Sequence, residues 1–88
     1  MRARDLYGRY RDLLFGLARN AQADPDWSRT LQAIIRAFEL DAESLDADDA
    51  VLLREELCEQ LEQAANGATN AIARAVLRAG LKKIELIS

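Results

Sequence analysis

The apolar residues of this chain recur at the spacing of one α-helix face, and no other feature restricts its fold so strongly. Leu6, Tyr10, Leu13, Leu14, Leu17, Ala18 and Ala21 follow one another mostly in three- and four-residue steps. That rhythm keeps side chains on one side of a helix, and it predicts a first helix over about residues 3–21. Asp24-Pro25-Asp26-Trp27 reads as a start signal: an Asp cap, then a proline at the first helical position, then an acid near the positive end of the helix. The second helix is expected over about 25–40, with Trp27, Leu31, Ile34, Ile35 and Phe38 as its stripe.

Residues 41–46 interrupt the rhythm. Asp46 and Asp49 resemble a capping pair opening a third helix over about 47–65. Asn66-Gly67 supplies residues that tolerate left-handed backbone and commonly close helices, and Thr69 can cap a fourth over about 69–82. Gly80 is able to end that helix early. Residues 83–88 alternate polar and apolar over too short a run to choose between helix and extended tail. The expected fold is all-α: one domain, residues 1–88, a small bundle of about four helices completed by dimerisation.

A bundle of 88 residues buries a small core and is only marginally stable alone. A secreted domain of that size usually relies on several disulfides, whereas here Cys58 is the single cysteine. The expected compartment is therefore the cytosol. The N-terminal residues run directly into an amphipathic segment, so neither a signal peptide nor a membrane span is expected. Charge is unevenly spread. Residues 1–23 hold five Arg and two Asp, residues 24–62 hold three Arg and twelve acids, and residues 63–88 hold four basic residues and Glu85. The basic ends either neutralise the acidic middle within the fold or leave it as an interaction surface.

The residues speak against catalysis. There is no histidine, so the commonest general base and metal ligand is missing, and Cys58 has no histidine to activate it. Cys58 reads as a small buried hydrophobe on the apolar side of the third helix. Asp46, Asp48 and Asp49 lack the central glycine and distant glutamate of a calcium loop. No catalytic, cofactor or metal site is expected. Glu43-Ser44-Leu45-Asp46 resembles, over four residues, the Asp-Ser-Leu site where acyl carrier proteins take their prosthetic group. Glu replaces the Asp, and the family's long preceding loop is replaced by a helix, so no site is carried across. The third helix, its turn and the fourth helix have the order of a helix-turn-helix, with Arg74, Arg78 and Lys82 four residues apart. Against DNA binding, the leading helix is acidic and the following one carries alanine where base-reading side chains belong.

Four features point to binding surfaces. Phe15 falls on the polar side of the first helix near Arg4, Arg11 and Arg19, and Leu52 falls among Asp48, Glu55, Glu56 and Glu59 on the third. These two apolar points on oppositely charged fields are candidates to meet, within a chain or between chains. Arg54 sits in the apolar arc of its helix and either extends its head to water or is paired at an interface. The fourth helix is apolar around most of its circumference, as expected of a helix shared between two subunits. The candidate partner-binding residues are thus Phe15, Leu52, Arg54, Glu55, Glu56 and Glu59. The expected function is that of a small non-enzymatic, bacterial-style regulatory or adaptor protein, a homodimer that binds another protein helix to helix through the acidic segment 41–62. One alternative is an antitoxin or immunity-type inhibitor of a basic protein. The other is a DNA-binding repressor using Arg74, Arg78 and Lys82.

Overall fold

A computed structural model describes residues 2–87 and shows four α-helices with no strand among them. They are α1 (Ala3–Asn20), α2 (Trp27–Glu43), α3 (Ala47–Gly67) and α4 (Ala71–Glu85), with a short 3-10 turn at Ala21–Ala23 after α1. The two inner helices are α1 and α4. Each packs against both others as well as against one another, while α2 and α3 flank this pair and barely touch. The core is wholly apolar and draws on every helix, with Tyr10, Leu14, Leu31, Phe38, Leu53, Leu57, Leu61, Val76 and Ile84 fully buried.

The expected helices are present, but their ends are set by different groups. Pro25 precedes α2 instead of opening it, because the Asp24 carboxylate accepts from the Asp26 amide at 2.9 Å and holds Pro25-Asp26 in a turn. At the other end α2 continues to Glu43, where Ser44 Oγ donates to the Asp41 carbonyl at 2.7 Å. Asp46 occupies the N-cap position of α3 without a side-chain bond, so the expected capping pair with Asp49 does not form. Asn66-Gly67 stays helical with no left-handed residue, and the chain leaves α3 through extended Ala68. Asn70, not Thr69, caps α4: its Oδ1 accepts from the amides of Ile72 and Ala73 at 2.8 and 3.1 Å.

Gly80 does not stop α4. It lies buried where α1, α2 and α4 converge, and a Cβ there would stand 3.6 Å from Leu14 Cδ2 and from Leu31 Cδ1. The helix runs on to Glu85, which settles most of the ambiguous tail as helix, and Ser88 lies outside the described residues. Contact with three neighbours also uses up the apolar circumference of α4 within one chain. Chiefly Ala71, Ile72 and Ala75 remain exposed along its first turns, so this helix no longer argues for a second subunit.

One polar contact fixes α1 to the end of α2. The Tyr10 ring is buried edge-on against Phe38, with centroids 5.5 Å apart, and its hydroxyl donates to the Asp41 carboxylate. Burial first, and then the bond to Asp41 and its charge, push the Tyr10 hydroxyl up to about 12.

Candidate functional site

Because α2 and α3 rest on the α1–α4 pair without packing on one another, a groove of about 1080 Å³ opens between them over the C-terminal turns of α4. Its floor includes Ile35 and Phe38, both residues of the core, and Ile87, which packs against it. Val51 and Leu86 stand on its sides, 43% and 75% exposed. Alanines at 33, 42, 47 and 50 keep the walls low. Four cations line it, Arg29, Arg36, Arg54 and Lys83, against the carboxylates of Glu39 and Glu43. In a chain of net charge −3 this is a locally basic surface with an apolar floor.

Arg54 explains part of that geometry. It is half-buried, and its guanidinium donates to the Ile87 carbonyl at 2.7 Å. The residue placed by the sequence among the partner-binding candidates is therefore engaged inside its own chain, where its charge also complements the negative C-terminal end of α4. Cys58, on the next turn of α3, is half-buried against the core, and burial followed by Glu85 pushes its thiol up, away from the reactive thiolate.

Round the outer side of α3 the charge reverses. Leu52 is 49% exposed, and Asp48, Glu55, Glu59 and Glu62 lie exposed on the same outward arc. Among the described residues the ion pair within 4 Å is Arg11–Asp12, so none of these acids is paired at that distance. Glu56 is half-buried and turns toward α1, where it lines a small cleft with Arg4, Tyr7, Glu59 and Gln60. The basic start of α1 thus faces part of the acidic helix, in the manner of internal neutralisation, while Leu52, Glu55 and Glu62 remain outside it.

Phe15 differs from Leu52 in exposure. It is half-buried and packs against the core of its own chain, in a row with half-buried Tyr7 and Arg11, whose guanidinium lies 5.3 Å from the Tyr7 ring centre. Leu13, assigned by periodicity to the inward face, is 42% exposed instead. The cover over α1 is rotated toward the Tyr7–Phe15 flank because neighbours grip that helix from more than one side. Of the basic edge of α4, Arg74 donates to the Ala68 carbonyl at 2.7 Å and braces the α3–α4 turn, while Arg78 and Lys82 are exposed.

The sequence isolated Leu52, Glu55, Glu59 and Arg54 but missed the groove. Arg29 and Arg36, seven residues apart, held the signal: both sit on the polar face of the second helix in an otherwise acidic stretch. Among the described residues, no cluster of His, Cys, Asp and Glu is arranged to hold a metal ion, and no helix is long and apolar enough to cross a membrane. Compared with protein-family models, with curated proteins and with solved structures, the chain matches none.

Proposed function

We propose that this chain is a small non-enzymatic regulatory or adaptor protein of the cytosol, acting by helix-on-helix binding through the acidic outer face of α3. The observation that carries this reading is the exposed Leu52, with Val51 beside it, set among Asp48, Glu55, Glu59 and Glu62, which make no ion pair within 4 Å among the described residues. An apolar anchor inside a charged rim is the arrangement that gives an interface both affinity and selection of partner. The face calls for a partner that is basic and offers an apolar pocket. A basic toxin or nuclease held by an inhibitor of this kind would satisfy the same chemistry.

A repressor reading is weaker. The helix that would enter the DNA groove, α4, is one of the two inner helices of the bundle, and its Arg74 is occupied with the α3–α4 turn. Its exposed edge alternates Arg74, Arg78 and Lys82 with Ala71, Ala75 and Glu85, few groups that read bases.

The test is capture of binding proteins from an extract of the native host with wild-type protein, Leu52→Asp, and Glu55→Lys/Glu59→Lys. A partner held by the wild type, weakened by salt and lost with both variants supports the reading. A partner held equally by all three places the docking surface elsewhere.

A further inference from the structure

The groove between α2 and α3 and the acidic face of α3 are complementary surfaces that adjoin on one molecule. We propose that they bind one another between two copies of this chain, each groove receiving the α3 of its partner in a two-fold dimer. The inference rests on the reading of α3 as a docking helix and names a second copy as its partner.

Charge is the first argument. The groove presents Arg29, Arg36, Arg54 and Lys83, which outnumber its carboxylates, while α3 presents Asp48, Glu55, Glu59 and Glu62. Opposite fields on two patches of one chain favour self-association and disfavour contacts between like patches. Position is the second. Val51 stands on the groove wall and Leu52, the next residue, on the acidic face, so the two patches meet along the first half of α3. A two-fold axis near these residues lets each copy give and receive the same surface, which closes the assembly at two.

Size is the third. The α3 wall of the groove is the shorter one, Ala47 to Arg54, but along α2 the groove runs from Arg29 to Glu43, about 21 Å at about 1.5 Å rise per residue. The acidic stretch of α3 from Asp48 to Glu62 has the same length. The alanine walls let a helix approach closely, and its seating takes Val51, Leu52 and Leu86 out of water.

The experiment is sedimentation equilibrium across a concentration series, with circular dichroism as a check that each variant is folded. Wild-type protein is expected to dimerise. Arg29→Glu/Arg36→Glu and Glu55→Arg/Glu59→Arg alter exposed side chains, and each variant alone should dissociate at least about tenfold more readily. An equimolar mixture of the two should form a heterodimer close to wild-type affinity, because each reversed groove then meets a reversed helix. A wild-type chain that stays monomeric at millimolar concentration overturns the dimer but leaves a different basic partner for α3. A dimer unaffected by either pair of reversals places self-association on another surface and overturns the groove assignment. Failure of the mixture to restore association, with both singles monomeric, shows that the two patches do not face one another. Partner capture lost with Glu55→Lys/Glu59→Lys but kept with Arg29→Glu/Arg36→Glu separates the acidic face's own role from the dimer's.

Discussion

Replacing Gly80 with alanine should stabilise this protein, although the site is buried among three helices. Glycine inside a helix costs about 1 kcal/mol relative to alanine, because the unfolded chain has more freedom to lose. Steric cost normally cancels that gain in a packed core. Here the added methyl would stand 3.6 Å from Leu14 Cδ2 and Leu31 Cδ1, ordinary contact distances, so it fills space without moving either leucine. A buried methyl contributes up to about 0.8 kcal/mol more, giving about 1–2 kcal/mol in total. For a domain of this size that raises Tm by about 4–16 °C. Gly8→Ala is the control: nothing lies within 4 Å of its added Cβ, so the propensity gain of about 1 kcal/mol should stand alone. Thermal and urea unfolding followed by circular dichroism measure both. If Gly80→Ala destabilises while Gly8→Ala stabilises, α1, α2 and α4 approach more closely than described, and the reasoning fails. Equal gains at both sites would show that the Gly80 methyl is not packed.

Tyr10→Phe removes the hydroxyl that donates to Asp41 and should cost about 1–2 kcal/mol in urea unfolding, on the scale of a hydrogen bond to a charged acceptor; no loss would mean that water replaces the bond without penalty. Because the folded pKa of Tyr10 lies near 12, above its ordinary value of 10.0, its contribution is fully present below pH 10 and declines as pH rises through that interval. Ultraviolet titration of tyrosinate in the folded protein, repeated on Tyr10→Phe, should assign the late step to this residue. Phe15→Ala should reduce folding stability by about 1–3 kcal/mol, since its ring rests on the core, whereas Leu52→Ala should leave monomer stability within about 0.5 kcal/mol and act on association alone. Asn70→Ala should cost about 1 kcal/mol through loss of the α4 cap, measured by the same unfolding curves.

Helix number and approximate position were legible because a 3.6-residue rhythm records which side of each segment faces the core. Helix ends were less so. Asp24 and Asn70 both serve their local turns, but which neighbouring polar residue takes the orphan amides depends on backbone angles that residue identity leaves open. Gly80 reads as punctuation, yet packing against Leu14 and Leu31 carries α4 through it, while Gly67 ends α3 without the left-handed backbone its type suggests. Phe15 shows the limit of a helical wheel: the wheel orders residues around an axis but does not say how wide an arc the neighbours cover. On α3 the neighbours α1 and α4 leave one side open, and Leu52, Glu55 and Glu59 lie exposed on it. Arg54 stands out in the sequence as a charge on an apolar arc, but its acceptor, the Ile87 carbonyl, lies 33 residues away. The groove is likewise a property of how α2 and α3 are arranged on the inner pair, and no single segment encodes it.

That arrangement leaves the width of the groove set by how α2 and α3 each pack on the inner pair, since they barely touch one another. Residues 44–46 tie the two outer helices at one end, and beyond that link they are the two arms of the trough. Seating a helix in it would stiffen both arms at once. Slowed amide exchange should then extend along α2 beyond the residues touched, with little change in α1, which is already held on several sides.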